Sequence, residues 1–179
     1  MPTRFNGISL PTTYNSIQFR SRLEARWAIF FDAMSTPWEY EPENFITTHG
    51  PYLPDFYLPE LKSFFIVKGE ELPNNEELKC YEVDSITGKR VIMAIGGIPQ
   101  VFSDDDRYFQ LYWSGGDWPY FFCRCSACGA LTFQWNGLAD RHCGIGSVGD
   151  NSGIQRHDTE EIQIAIKLAR TAKYGINFT

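Results

Sequence analysis

The stretch YLPDFYLPELKSFFIVKG, residues 52–69, decides the fold. Aromatic and β-branched residues dominate it, and such residues favour strands. Pro59 interrupts the run, because proline cannot donate to a strand ladder, and Gly69 ends it. The sequence therefore predicts two neighbouring strands, at 52–58 and 63–68.

Helices are predicted before and after these strands in the chain. Apolar residues recur at steps of three and four between 18 and 34, which places them on one helix face. Glu76 and Glu77 form an acidic first turn for a helix over about 74–86. The apolar run 90–95 then predicts a buried strand. A helix followed by a buried strand indicates an α/β crossover.

The remaining segments complete an α/β protein. Residues 38–45 alternate apolar and acidic side chains, which predicts a half-buried strand near an edge. Residues 159–174 carry acids at their start and bases toward their end, as a helix dipole favours. We expect a mixed sheet flanked by helices in residues 1–118, a small zinc-ribbon-like insertion at 119–150, and a helix in 151–179 that packs on the core.

Composition narrows the class of protein. The chain has 179 residues, 43% of them hydrophobic, which is enough to fill a core. Sixteen Lys and Arg against 22 Asp and Glu give a formal charge of −6, which argues against a non-specific nucleic-acid coat protein. No apolar run reaches the roughly 18–20 residues of a membrane span, and the start lacks the apolar region of a secretory signal. We expect an intracellular protein with no membrane partner.

The two predicted strands carry an acid and a lysine. Asp55 leaves the first predicted strand and Lys68 ends the second, so their side chains are expected to meet at one point of a twisted sheet. A carboxylate there can hold a divalent cation, and the lysine can orient a water and offset charge on a phosphoryl oxygen. Glu24 lies about 100° from the centre of the first helix's apolar stripe, at the rim, as a second acidic ligand.

Four segments in this order, FRSRLEARWAIFFD (19–32), YEPE, LPDF and VKG, resemble the PD-(D/E)XK nuclease superfamily. Within that superfamily the chain resembles, in broad terms, Holliday-junction-resolvase-like and very-short-patch-repair-like proteins of phages and bacteria, over roughly residues 14–100. It implies an α/β core, bound Mg²⁺ or Mn²⁺, and hydrolysis of DNA phosphodiesters. Asp55 matches the PD aspartate, Lys68 the motif lysine and Glu24 the helix acid. It also implies the cytoplasm of a bacterial or phage-infected cell, and a homodimer.

One position departs from the pattern of that superfamily. The motif acid, two residues before the lysine, falls on Ile66, which cannot bind a metal. Three explanations stay open. The acid has migrated to Glu41, Glu43 or Glu70; the motif is instead Glu-Leu-Lys at 60–62; or the protein no longer cuts and keeps the fold for binding.

Arginines surround the start of the first helix. Arg4, Arg20, Arg22 and Arg26 against Glu24 alone give the first 26 residues a net charge of +3. Arg20, Arg22 and Arg26 are therefore candidate phosphate contacts beside the cation site. The competing interpretation is a solvated helix face.

Four of the five cysteines lie within 21 residues, at positions 123, 125, 128 and 143. Such clustering favours a metal site over a disulfide framework. A CxxCG knuckle at Cys125 and Cys128 is followed 15 residues later by Cys143, a spacing typical of zinc ribbons. We expect a structural Zn²⁺ held by Cys125, Cys128, His142 and Cys143, with Cys123 and Asp140 as rivals for the fourth position.

Three functions compete at this point. The favoured one is a small metal-dependent DNA nuclease. The second is a catalytically inactive nuclease fold that binds DNA or, in a phage, inhibits a host enzyme, since acidic charge suits capture of a basic partner. The third is a zinc-stabilised interaction module with incidental carboxylates.

Overall fold

The computed structural model of the protein describes residues 10–69, 73–98, 111–113, 119–125, 128–135, 138–139 and 159–174. The helices in these ranges are α1 (Arg22–Ala33), α2 (Asn74–Thr87) and α3 (Glu160–Thr171). The strands are β1 (Thr12–Tyr14), β2 (Ile17–Phe19), β3 (Glu39–Tyr40), β4 (Phe45–Thr47), β5 (Gly50–Tyr52), β6 (Phe56–Leu58), β7 (Ser63–Lys68), β8 (Val91–Ile95), β9 (Leu111–Trp113), β10 (Pro119–Arg124), β11 (Leu131–Trp135) and β12 (Leu138–Ala139).

Within the described residues the main sheet has eight strands, in the order β12-β11-β10-β9-β8-β7-β6-β3. β7 and β8 run parallel, with Phe64 opposite Val91 and Lys68 opposite Ile95, and the other neighbours run antiparallel. α2 lies between β7 and β8 in the chain, as the crossover that parallel strands require. The predicted mixed sheet flanked by helices is therefore confirmed.

The two faces of β7 pack into two different cores. Phe65 and Val67 belong to the larger cluster, which includes buried residues of α1 and α3. Phe64 and Ile66 belong to a smaller cluster with α2. Because side chains alternate along a strand, α1 and α3 cover one face of the sheet and α2 covers the other.

Aromatic rings fix α1 on the sheet. The ring centroid of Trp27 lies 4.9 Å from that of Phe65 and 5.4 Å from that of Phe30, both in edge-on arrangements. Phe31 meets Phe65 in the same way at 5.2 Å. Each such pair contributes roughly 0.5–1.5 kcal/mol beyond the area it buries. The position of α1, and with it the position of its N-terminus, is therefore set by the core.

α1 begins later than the sequence predicts. Residues 17–19 form β2 and pair with β1 across a turn at Asn15 and Ser16, whose φ angles are 48° and 66°. Two consecutive residues with positive φ are typical of tight hairpin turns. The helix starts after Ser21, whose hydroxyl accepts the Glu24 N–H at 3.1 Å. This cap places Glu24 in the first turn.

The prediction of one continuous strand at 52–58 is wrong. Tyr52 ends β5, which pairs with β4 in a separate two-stranded sheet, and β6 begins only at Phe56. Pro54 lies in the break, where it has no N–H to donate to a ladder. The predicted strand at 38–45 is likewise shortened to β3 and the first residue of β4, because a residue with positive φ and a proline follow β3.

The C-terminal elements pack on the same core. α3 lies against α1 and is capped by Thr159, whose hydroxyl accepts the Ile162 N–H at 3.4 Å. The described part of the predicted insertion 119–150 adds β10, β11 and β12 to the main sheet, and Phe122 and Phe133 lie in the larger core. No helix of the described ranges is long and apolar enough to cross a membrane.

Candidate functional site at the ends of β6 and β7

Asp55 and Lys68 lie at the same end of the β6–β7 hairpin. Asp55 directly precedes β6, and Lys68 is the last residue of the antiparallel β7. Asp55 is 4% exposed, and its Oδ2 accepts the Val67 N–H at 2.7 Å. Its carbonyl accepts the Glu41 N–H at 2.9 Å. The carboxylate is thus fixed to the edge of β7, one residue from the lysine.

Glu24 reaches the same region from the first turn of α1. Both of its carboxylate oxygens accept hydrogen bonds, Oε1 from the Ser21 hydroxyl at 2.7 Å and Oε2 from the Tyr40 hydroxyl at 2.6 Å. The Arg20 N–H adds a third at 3.1 Å. Because Glu24 is only 6% exposed, these donors compensate a buried charge. Glu24 therefore joins α1 to β3 as well as supplying an acid.

Arg20 connects the acids to one another. Its Nη2 donates to Asp55 Oδ1 at 2.5 Å, and its Nε lies 2.8 Å from Glu41 Oε1. Glu41 directly follows β3 and has a φ of 47°, a left-handed conformation that costs an ordinary residue about 1–2 kcal/mol. The Arg20 side chain is 54% exposed, so the bridge lies at the surface above a buried carboxylate.

Several charges act on Asp55 together. Burial raises the pKa of Asp55 to about 6. The hydrogen bond from Val67 lowers that pKa, the Glu24 charge raises it, and Arg20 and Lys68 lower it. Those three charged groups belong to the segment before α1, to α1 itself and to the end of β7. The four side chains therefore form one electrostatic site.

Lys68 has a second acidic neighbour. Its Nζ lies 3.8 Å from Glu76 Oε2 in the first turn of α2, and its side chain is 38% exposed. Glu76 Oε1 also accepts from Lys79 Nζ at 2.9 Å. The sequence interpretation missed this contact, because the helix pattern accounts for Glu76 as an acid that favours the helix dipole.

The structure separates the possible replacements for the motif acid. Ile66 is 1% exposed in the core beneath α2. The rival motif at 60–62 lies in the turn at the opposite end of the β6–β7 hairpin from Asp55. Glu43 is exposed, and Glu70 lies outside the described residues. Glu41 is the candidate that shares the Arg20 guanidinium with Asp55.

The two other predicted phosphate-binding arginines face a different neighbour. Arg22 is exposed and Arg26 is half-buried on α1. Both charges act on Tyr174 after α3, whose pKa burial raises and the two arginines lower. Arg20 is therefore the arginine among these three that the structure brings to the acids.

The described cysteines of the predicted zinc site lie at the β10–β11 turn. The Cys125 N–H donates to the Ala130 carbonyl at 2.8 Å, and the Cys125 carbonyl accepts the Gly129 N–H at 2.7 Å. Gly129 has a φ of 74°, which favours glycine. Cys125 is buried and Cys128 is exposed. Burial and the neighbouring Cys125 raise the pKa of Cys123 to about 12.

The remaining predicted zinc ligands, His142 and Cys143, and the rival Asp140 lie outside the described residues. Within the part of the chain that the structure describes, no three or more His, Cys, Asp and Glu side chains are grouped so that they could hold a metal ion. The acid site contributes carboxylate oxygens, which are the ligands that Mg²⁺ and Mn²⁺ prefer. Mg²⁺ commonly takes one or two carboxylates with waters and substrate phosphate, so the donor chemistry of Asp55 and its neighbours fits such an ion.

Comparison with protein-family models, with curated proteins and with solved structures finds no match. The class of protein is therefore defined by the fold and the site alone. It is a mixed α/β protein with a buried aspartate, a strand-terminal lysine and a bridging arginine at one end of a β-hairpin.

Proposed function

We propose that the protein is a metal-dependent DNA nuclease of the PD-(D/E)XK type, which hydrolyses phosphodiesters in the cytoplasm of a bacterial or phage-infected cell. The observation that carries the proposal is the convergence of Asp55, Glu24 and Lys68 from three separate elements. Their sequence order and their residue types are those of the superfamily that the sequence resembles.

Each side chain has a distinct role in this proposal. Asp55 and Glu24 would hold Mg²⁺ or Mn²⁺, which when bound would polarise a phosphoryl oxygen and lower the pKa of a bound water. Lys68 lies beside that carboxylate at the exposed end of β7, where its charge can offset negative charge on a phosphoryl oxygen. Glu76 Oε2 lies 3.8 Å from the Lys68 Nζ and pairs with its charge.

A nuclease panel tests this proposal. Duplex, branched and nicked DNA and RNA are incubated with the protein in Mg²⁺ and in Mn²⁺, beside the variants Asp55→Asn and Lys68→Ala. We expect each variant to lower the cutting rate by about 10²–10³-fold, the range for loss of one group that stabilises transition-state charge.

The matched controls are Glu60→Gln and Lys62→Ala, which lie at the other end of the same hairpin. We expect both to cut at the rate of the unchanged protein. Cutting that survives Asp55→Asn, or that is lost in the two controls instead, would show that the site is wrongly assigned. A protein that cuts none of the substrates would contradict the nuclease proposal itself.

A second function is favoured by a specific observation. Ile66 fills the core where the superfamily has an acid, and the Arg20 guanidinium already contacts the Asp55 carboxylate. We propose as the alternative a catalytically inactive nuclease fold that binds DNA or inhibits a host enzyme. Binding of uncut DNA in a gel-shift assay, unchanged in Asp55→Asn, would support the DNA-binding form, and metal-dependent cutting would exclude the alternative.

We further propose a structural Zn²⁺ held by Cys125, Cys128, His142 and Cys143. Cys125 and Cys128 lie between β10 and β11, where main-chain hydrogen bonds join Cys125 to Gly129 and Ala130. Sulfur and nitrogen ligands suit zinc, and four protein ligands leave no open position for a reacting water. This ion would therefore stabilise the β10–β11 hairpin or dock it on DNA, and the hydrolysis would belong to the acid site.

A further inference from the structure

The main chain anchors Arg20 at the acid site. Its N–H donates both to Glu24 Oε2, at 3.1 Å, and to the Tyr40 hydroxyl, at 3.0 Å. Residue 20 follows β2 directly and precedes the cap of α1, so two ordered elements hold its Cα. The long side chain therefore leaves from a fixed point and crosses to Asp55.

The Arg20 guanidinium contacts carboxylate oxygens that a bound metal ion would use as ligands. Two nitrogens of the same planar group, Nη2 and Nε, contact Asp55 Oδ1 and Glu41 Oε1. The other oxygen of Asp55 accepts the Val67 N–H, and Oδ1 is the oxygen that contacts the guanidinium. A divalent ion that takes Asp55 Oδ1 and Glu41 Oε1 as ligands would be close to the guanidinium that contacts the same two oxygens, so the two positive charges repel and compete for these acids.

Burial differs sharply between the two partners. The side chain of Asp55 is 6% exposed, whereas that of Arg20 is 54% exposed. Asp55 is also fixed by its hydrogen bond to β7. The arginine can therefore move into solvent without opening the core, and the aspartate cannot.

We propose that Arg20 is a resident cation of this site, which Mg²⁺ or Mn²⁺ displaces from Asp55 and Glu41 when it binds. This inference rests on the proposed function, which supplies the metal ion, and what it adds is the role of Arg20. The displaced guanidinium stays tethered beside the ion, where its planar set of donors suits a phosphate oxygen. Arg20 thus sets the cation affinity of the site and positions the substrate.

The first test measures Mn²⁺ binding by calorimetry in the unchanged protein, in Arg20→Gln and in the control Arg22→Gln. We expect Arg20→Gln to bind Mn²⁺ at least about ten-fold more tightly, a difference of about 1.4 kcal/mol. Arg22 is exposed at the start of α1, so its variant removes an equal charge outside the acid site, and we expect less than about a two-fold change.

Equal or weaker Mn²⁺ binding in Arg20→Gln would overturn the proposal, and so would equal tightening in both variants, which would reflect net charge alone. Absence of Mn²⁺ binding in all three proteins would also overturn it. Circular dichroism of each variant checks that it folds.

A second measurement uses the unchanged protein, so it does not depend on a variant that folds. The Nε–H resonance of Arg20, assigned by its loss in Arg20→Gln, is followed by NMR during titration with Mg²⁺. We expect this resonance to shift and its exchange with water to accelerate as the ion pair opens. A resonance that is unchanged at saturating Mg²⁺ would overturn the displacement.

These results separate the inference from the proposed function. Cutting that is lost in Asp55→Asn, with no change of Mn²⁺ affinity in Arg20→Gln, would retain the nuclease and remove the role of the arginine. Tighter Mn²⁺ binding in Arg20→Gln without cutting of any DNA would retain the arginine as a resident cation and remove the nuclease.

Discussion

The acid site and the cysteine-bearing hairpin are assembled in opposite ways. Arg20, Glu24, Glu41, Asp55 and Lys68 come from separate elements, and the fold has to form before they meet. The described cysteines of the β10–β11 region lie within six residues of one another, from 123 to 128. The first site therefore depends on long-range packing, whereas Cys125 and Cys128 of the proposed zinc site lie only three positions apart in the sequence.

The side chains that support the acid site also differ from those near the cysteines. The acid site sits at the N-terminus of α1, which Trp27 and Phe31 fix against the sheet. On β10, Phe122 faces that core, whereas the adjacent Cys123 lies opposite Thr132 on the other face. The proposed Zn²⁺ would stabilise the β10–β11 turn through its cysteine ligands, whereas aromatic packing fixes α1 on the sheet.

The largest expected effect is loss of zinc in Cys128→Ser. We expect one zinc per chain in the purified protein by elemental analysis and less than a tenth of that in the variant, since structural zinc sites contribute on the order of 10 kcal/mol. Cys128 is exposed, so the change to serine removes little packing and reports on the metal. Mn²⁺ binding at the acid site should stay within about two-fold, because Cys128 lies at the β10–β11 turn and contributes no group to the acid site.

The control for this experiment is Cys80→Ser. Cys80 is buried between α2 and β5, with its sulfur 3.2 Å from the Tyr52 hydroxyl. We expect this variant to keep its zinc. An unchanged protein without zinc, or a Cys128→Ser protein that keeps a full equivalent, would contradict the zinc site and remove the comparison with the acid site.

The next effect concerns the pH dependence of stability. Burial raises the pKa of Asp55 from 3.8 to about 6 in the folded state. The unfolded chain releases this proton near pH 4, while the folded protein retains it to about pH 6, so stability is full below pH 4 and falls as the pH rises to 6. The loss is on the order of 2–3 kcal/mol.

Urea denaturation at several pH values with a chelator present measures this loss. We expect Asp55→Asn to gain stability relative to the unchanged protein between pH 4 and pH 6, because asparagine has no charge to bury. Glu77→Gln, an exposed change in the first turn of α2, should follow the unchanged protein. A difference that is constant with pH, or that grows in the opposite direction, would show that Asp55 is not a buried acid of raised pKa.

Local patterns explain which parts of the fold and the site the sequence predicts. The apolar spacing in α1 and the pairing of β6 with β7 across one short turn both involve residues close in the sequence. The antiparallel pairing of these two strands is enough to place Asp55 near Lys68. The pattern Ser21-x-x-Glu24 is a recognisable helix cap, which was a readable signal for the true start of α1. The partners of Arg20, Asp55 and Glu41, could not be predicted in this way. A long arginine side chain can reach several carboxylates, and the folded structure decides which of them it contacts.

The smallest effect concerns the contact that joins the two regions. Arg124 of β10 donates through Nε to Glu161 Oε2 at 3.1 Å and contacts Oε1 through Nη2. The same Nη2 donates to the carbonyl of Met34 at the end of α1, at 3.2 Å. One side chain thus links β10, α3 and the helix that carries Glu24.

Replacing Glu161 or Arg124 distinguishes the ion pair from the hydrogen bond to the Met34 carbonyl. Glu161 is 52% exposed, so Glu161→Gln should lower the free energy of unfolding by less than about 1 kcal/mol, as for surface ion pairs. Arg124→Gln also removes a donor from the Met34 carbonyl, whose other side-chain donor is the Thr36 hydroxyl at 3.5 Å, and should cost about 1–2 kcal/mol. Urea denaturation of both variants measures the difference. Equal losses would mean that the hydrogen bond from Arg124 to the Met34 carbonyl adds nothing to the contribution of the ion pair.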